Sequence, residues 1–96
     1  MRIRYSNKAI DCITEIGNFL KQSNLQSSFI SNHLDELKTK IASLLTAFPN
    51  SGNELQFNKT KLRRLVVNNY SVLYKYSSEK QLIEVAYIHK QNLPKL

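Results

Sequence analysis

The chain has 96 residues, 42% of them hydrophobic, with five Tyr, four Phe and a net charge of +7. That length allows one domain over residues 1–96 with a single core, burying roughly 65% of the unfolded surface. No apolar run approaches the roughly 18 residues of a membrane span, and the one cysteine, Cys12, excludes an internal disulfide and predicts a reduced thiol that packs in a core.

The opening MRIRYSNKAID is charged with no apolar stretch behind it, which predicts neither a secretory signal nor a membrane anchor. Alternation in Arg2-Ile3-Arg4-Tyr5 predicts a short strand with Ile3 and Tyr5 on one face. Ser6 suits an N-cap, its hydroxyl meeting the free amides of a helix from Asn7 to Gln22. In that helix Ala9, Ile13, Ile16 and Leu20 form the buried stripe, widened by Ile10 and Phe19. Gly17 weakens it by about 1 kcal/mol relative to alanine unless a close helix crossing uses the missing side chain.

Ser23 to Ser27 is short enough to make the next helix antiparallel to the first. From Ser28 to Phe48, Ile30, Leu34, Leu37, Ile41, Leu44 and Phe48 repeat with the cleanest helical period in the chain, flanked by Phe29 and Leu45. A coiled-coil dimer is the rival reading, although the segment offers only about three heptads, the minimum for one. Pro49 ends the helix, and Asn50 to Lys61 reads as a polar loop.

RRLVV (Arg63–Val67), YSVLYKY (Tyr70–Tyr76) and QLIEVAYIH (Gln81–His89) are rich in β-branched and aromatic residues and predict strands. Asn68-Asn69 and Ser77 to Lys80 suit hairpin turns, so neighbouring strands run antiparallel. Tyr70, Tyr74 and Tyr76 share one face and read as packing residues rather than a base-stacking platform. The tail QNLPKL is expected to run extended because Pro94 interrupts any helix. The expected fold is α+β: an N-terminal strand and an antiparallel helical hairpin packed on one face of a twisted antiparallel sheet, in the order β-α-α-β-β-β.

Charge is unevenly spread. Residues 59–96 carry Lys59, Lys61, Arg63, Arg64, Lys75, Lys80, Lys90 and Lys95 against Glu79 and Glu84, whereas the first part of the chain is nearly balanced. The sheet half therefore attracts nucleic acid or an acidic protein.

The order of elements, the L-x-x-x-P-x-x-G helix exit at Leu45, Pro49 and Gly52, the basic RRL, the Y-x-V-x-Y strand at Tyr70, Val72 and Tyr74, and a last strand running into IHKQN together resemble the RelE/ParE superfamily of toxins from bacterial type II toxin-antitoxin pairs. The resemblance spans essentially the whole chain. It implies a cytoplasmic growth inhibitor, neutralised in a hetero-oligomer by a cognate antitoxin encoded beside it. Members divide into ribosome-dependent mRNA endonucleases and inhibitors of DNA gyrase.

Metal-free RNA cleavage needs a base, an acid and cations beside the pentacoordinate phosphorus. Arg63, Arg64, His89 and Lys90 are the candidate catalytic residues if the chain is a nuclease, with Lys61, Lys75, Tyr87 and Glu54 nearby; Lys59, Lys61, Arg63, Arg64, Lys75 and Lys90 are the candidate target-binding cations. Strand parity sets Glu84 on the opposite face from Tyr87 and His89. His33 and His89, far apart in sequence, and a lone cysteine predict no metal site, and no cofactor motif is present. Leu25, Phe29 and Phe57, apolar but off the main seams, are the candidate antitoxin contacts. The nuclease branch commonly carries arginine where this chain has Ser71, and again just after the last strand, where it has Lys90-Gln91. These departures favour binding to a gyrase-type target over RNA cleavage. A degenerate, non-toxic RNA-binding module is the third reading.

Overall fold

The computed structural model describes residues 1–57 and 59–90. Along the chain it contains β1 (Arg2–Tyr5), α1 (Asn7–Gln22), α2 (Ser27–Ala47), β2 (Asn53–Phe57), β3 (Thr60–Val67), β4 (Tyr70–Ser77) and β5 (Leu82–Lys90). The segment expected to run extended, residues 91–96, lies outside the described residues together with Lys95.

Two corrections concern the sheet, which has five strands in the order β1-β5-β4-β3-β2 and is mixed. The segment read as a polar loop contains β2, which pairs antiparallel with β3 from Asn53↔Arg64 to Phe57↔Thr60. Its apolar residues, Leu55 and Phe57, alternate with polar ones, so a strand with one wet side reads as polar sequence. The second correction is direction. Every connection is short and reverses the chain, so β5 ends up running with β1, and the two pair in parallel from Arg2↔Leu82 to Tyr5↔Val85.

The hairpin between β3 and β4 turns on Asn68 (φ 50°) and Asn69 (φ 68°). Positive φ at both central residues matches the right-handed twist of the flanking strands, and asparagine tolerates that region.

The helices close on one face of the sheet. Ala9, Cys12 and Ile16 of α1 and Leu37, Ile41 and Leu45 of α2 pack with Val67, Tyr70, Val72, Tyr74, Ile83, Val85 and Ile88. Two seams differ from the sequence pattern. In α1, Cys12 joins the buried stripe, while Ile10 and Phe19 are each about half exposed. In α2 the stripe runs through Leu45, leaving Leu44 38% and Phe48 62% exposed. Phe48 is the C-cap, past the last helical residue and non-helical at φ −136° and ψ 70°, so the helix period does not direct its side chain. Gly17 is not required by a close crossing, since a methyl group there would meet Leu34 Cδ1 at 3.5 Å, an ordinary contact.

Gly52 is required. A Cβ would come within 2.9 Å of the Arg64 carbonyl and the Tyr74 ring, because the chain leaving α2 is pulled down onto the sheet. Tyr74, fully buried, accepts the Gly52 amide at 2.9 Å and donates its hydroxyl to the Pro49 carbonyl at 2.8 Å.

Candidate functional site

β5 contains a bulge that decides which residues meet. Tyr74 pairs with Val85 but Leu73 pairs with Tyr87, leaving Ala86 with no residue opposite. An extra residue shifts side-chain parity by one. Glu84, Tyr87 and His89 therefore emerge on the same face, the one away from the helices, which corrects the expectation that Glu84 lies opposite. Arg4 Nε donates to Glu84 Oε2 at 3.0 Å there. The same shift sends Ile88 into the core and Lys90, paired with Tyr70, to the helix side.

Ser6 holds the bulge. Its hydroxyl accepts the Ala9 amide at 3.0 Å, capping α1 as expected, and donates to the Ala86 carbonyl at 2.9 Å. A single side chain thus terminates a helix and engages the one residue of β5 that β4 leaves unmatched. Ser6→Ala is expected to lower stability by about 1–2 kcal/mol through loss of the cap and the carbonyl partner; urea unfolding checks the loss, and a change below about 0.5 kcal/mol, the range of an ordinary surface substitution, would contradict this role.

On the face away from the helices, Arg64 Nε donates to Ser71 Oγ at 3.1 Å. Ser71 is fully buried and pairs across the strand with His89, which is exposed. Arg64 therefore reaches from β3 over a small residue of β4 toward the β5 histidine. Leu62 and Leu73, both buried, form the floor beside them. Tyr87 lies 5.7 Å from His89 and 5.8 Å from Phe57, centroid to centroid, with Lys8 Nζ 5.5 Å from the Tyr87 ring.

Of the other candidate cations, Lys75 shares this face, paired with Glu84, whereas Lys61, Arg63 and Lys90 do not. Lys61 and Arg63 fall on the opposite parity of β3. Arg63 is tied down, donating to the Gly52 carbonyl at 2.8 Å and the Asn50 carbonyl at 3.2 Å, and lying 3.4 Å from Glu54 Oε1. It braces the loop after α2. Pairing of β3 with β4 starts only at Arg63↔Tyr74, and where the strands separate Lys61 and Lys75 line a common cleft of about 240 Å³ with Glu54, Leu62 and Tyr76. Lys59 sits in the β2–β3 turn at φ 67°. Lys90 Nζ lies 4.6 Å from the Phe19 ring centroid. Of the four candidate catalytic residues, only Arg64 and His89 come together.

Lys90 lines a cleft of about 220 Å³ between α1 and β5 with Cys12, Glu15, Ile16, Phe19 and Ile88, and Tyr87 and His89 reach its rim from the edge strand. Because β1 pairs with β5 only as far as Val85, the edge of β5 alongside this cleft carries no neighbouring strand among the described residues. Tyr70 also lines it, and burial raises its hydroxyl above the ordinary value of 10.0, keeping it a donor or acceptor for His33 Nε2 at 3.1 Å. Of the candidate antitoxin contacts, Leu25 is 38% exposed, and Phe29 is 52% exposed and stacked on His33. Phe57 lies apart from them, against Tyr87 on the other side of the sheet. Sequence reading missed the β5 edge cleft, whose one visible signal was Phe19, an aromatic at the rim of its helix stripe.

Among the described residues no group of three His, Cys, Asp or Glu side chains is assembled that could hold a metal ion, and no helix is long and apolar enough to cross a membrane.

No protein-family model matches the chain, and no curated protein matches it significantly. Solved structures do. The isolated E. coli RelE toxin superposes with a TM-score of 0.56 at 14% identity, covering 97% of this chain and 86% of that one. A chain of the intact E. coli RelBE toxin-antitoxin complex superposes with a TM-score of 0.54 at 14% identity, covering 95% and 96%. These superpositions give the chain a RelE-like fold.

Proposed function

We propose that residues 1–96 act as one toxin unit of a type II toxin-antitoxin pair, a cytoplasmic growth inhibitor that cleaves mRNA on the ribosome and is silenced by a cognate antitoxin. One observation carries the reading: the Arg64 guanidinium hydrogen-bonded over Ser71, beside His89. Ser71 stands where the nuclease branch commonly has arginine, and the neighbouring strand supplies a guanidinium to the same spot. The case for gyrase inhibition rested on two missing arginines, at Ser71 and at Lys90-Gln91, and Arg64 makes good the first of them. With the charge supplied from β3, and with a fold like that of RelE, RNA cleavage is the better supported of the two.

In this reaction the 2′-oxygen attacks phosphorus and the bond to the 5′-oxygen breaks, leaving a cyclic phosphate and a free 5′-hydroxyl. The first oxygen loses a proton and the second gains one. His89 is the side chain that transfers a proton, histidine being the residue whose charge changes near neutral pH. Arg64 offsets charge on the pentacoordinate phosphorus in a fork geometry that a lysine lacks. Lys61 and Lys75, lining one cleft, hold flanking phosphates as point charges.

The antitoxin has a place to dock. The uncovered edge of β5 can accept an added strand, and the adjoining cleft offers Phe19 and Ile16 to its side chains. Ile10 and Phe19, each about half exposed, forgo roughly half of the ~1.5–3 kcal/mol that full burial would contribute, which fits a surface kept apolar for a partner. A net charge of +7 favours an acidic segment there.

Induced expression in a host lacking the antitoxin tests the proposal. Growth arrest with new primer-extension stops within coding mRNA and unchanged plasmid supercoiling is the expected result. Altered supercoiling with intact mRNA would restore the gyrase reading. Normal growth at good soluble yield would leave a non-toxic RNA-binding module.

A further inference from the structure

Between Val85 and Ile88, β5 carries one residue more than β4 has partners for, and the ladder alone does not fix where the extra residue goes. Lys75 pairs with Glu84 and Tyr74 with Val85 before the break, and Leu73 with Tyr87, Val72 with Ile88 and Ser71 with His89 after it. Ile88 is 1% exposed and belongs to the core, so it cannot turn outward without pulling apolar surface off the helices. That fixes the register from Val72 onward. It leaves two arrangements open. With Ala86 bulged, Tyr87 sits opposite Leu73 on a regular stretch that leads to His89. Were Ala86 to sit opposite Leu73, Tyr87 would become the bulged residue, directly before Ile88 and closer to the histidine.

The start of α1 chooses the first arrangement. β1 runs beside β5 as far as Tyr5↔Val85, and the Ser6 amide then donates to the Val85 carbonyl at 2.9 Å. The Ser6 hydroxyl donates to the next carbonyl, that of Ala86, at 2.9 Å. In a regular strand successive carbonyls point to opposite edges, so two in a row can meet one residue only where the strand is bulged. Ser6 Oγ therefore reads the bulged state of Ala86. The hydroxyl is itself held by the helix, accepting the Ala9 amide at 3.0 Å, and Lys8 in the first turn of α1 sets its ammonium 5.5 Å from the Tyr87 ring.

We propose that Ser6 is a positioning residue for RNA cleavage: by donating to the Ala86 carbonyl it pins the bulge there and holds His89 on regular strand, across Ser71 from Arg64. The inference rests on the RNA-cleaving reading and adds to it a residue outside the face that meets RNA. Ser6 acts through the backbone of β5. Once it lets go, the bulge shifts toward His89 while Ile88 keeps the fold, so the site loses order before the molecule loses stability.

Three variants of the full chain separate the two tasks of this hydroxyl. Ser6→Thr both accepts and donates. Ser6→Asp accepts the Ala9 amide as a cap but has no proton to give Ala86. Deleting Ala86 removes the extra residue, so β5 keeps its partners with no bulge to pin. The readouts are the single-turnover rate of mRNA cleavage on purified ribosomes, urea unfolding, and the backbone amide NMR spectrum. Ser6→Asp is expected to cleave about 10²-fold more slowly than wild type, the scale of a misplacement of about 1 Å. Its urea midpoint should fall less than that of Ser6→Ala, and the amide signals of Ala86 to His89 should split or broaden. Ser6→Thr should restore the rate and a single sharp set of signals. The Ala86 deletion should cleave like wild type, and adding Ser6→Asp to it should leave the rate unchanged. A wild-type rate in Ser6→Asp, or an equal loss in the deletion background, would overturn the positioning role and leave the nuclease reading standing. Failure of wild type to cleave would overturn both. An unfolded Ser6→Asp or Ala86 deletion would assign these residues to folding rather than positioning, and overturn the proposal as well.

Discussion

His89→Ala is expected to slow RNA cleavage by about 10²–10⁴-fold, the usual contribution of a positioned acid or base. The residue is exposed at the end of β5, so removing it leaves the core intact, and the unfolding midpoint should not move. Loss of rate without loss of stability separates a chemical role from a structural one. Arg64→Lys should fall between wild type and Arg64→Ala, because it retains charge but loses the planar fork. The measurement is the single-turnover rate of mRNA cleavage on purified ribosomes, together with urea unfolding of each variant. Wild-type rates in His89→Ala would remove the proton-transfer role, and equal rates in Arg64→Ala would remove the argument from Ser71.

Tyr74→Phe should be the most destabilising change that alters a single atom. The ring is fully buried, and its hydroxyl serves both the Gly52 amide and the Pro49 carbonyl. Phenylalanine keeps the packing and strips both partners. A buried polar group left unmatched costs about 1–3 kcal/mol, so two place the loss at about 2–4 kcal/mol. For a domain of this size that lowers Tm by roughly 10–20 °C. The effect also reaches function: the same loop holds Arg63 through the Asn50 and Gly52 carbonyls, where β3 parts from β4. A urea midpoint within error of wild type would show that water replaces the hydroxyl.

These two residues illustrate different depths of information in the chain. Tyr74 was legible as a packing residue, because Tyr70, Tyr74 and Tyr76 alternate along one strand. That its hydroxyl anchors the exit from α2 was not legible, since Pro49 and Gly52 approach it only after the helices dock. His89 was legible as a candidate, but its companions were not. Parity counted along an unbroken strand separates it from Glu84 and offers no reason to pair it with Arg64.

What the sequence determined by itself is everything governed by near neighbours. Ser6 at a helix start, asparagines at a tight hairpin, the two helices and the β-branched strands all follow from interactions within a few residues, and each formed where the pattern put it. Tertiary structure decided the rest: the fifth strand, the parallel edge at β1, the bulge at Ala86, and the division of the cations between two sides of the sheet. These depend on register between strands distant in the chain, and a shift of one residue there exchanges the two faces. The candidate site is built from that register, with Arg64, Ser71, Tyr87 and His89 contributed by three strands.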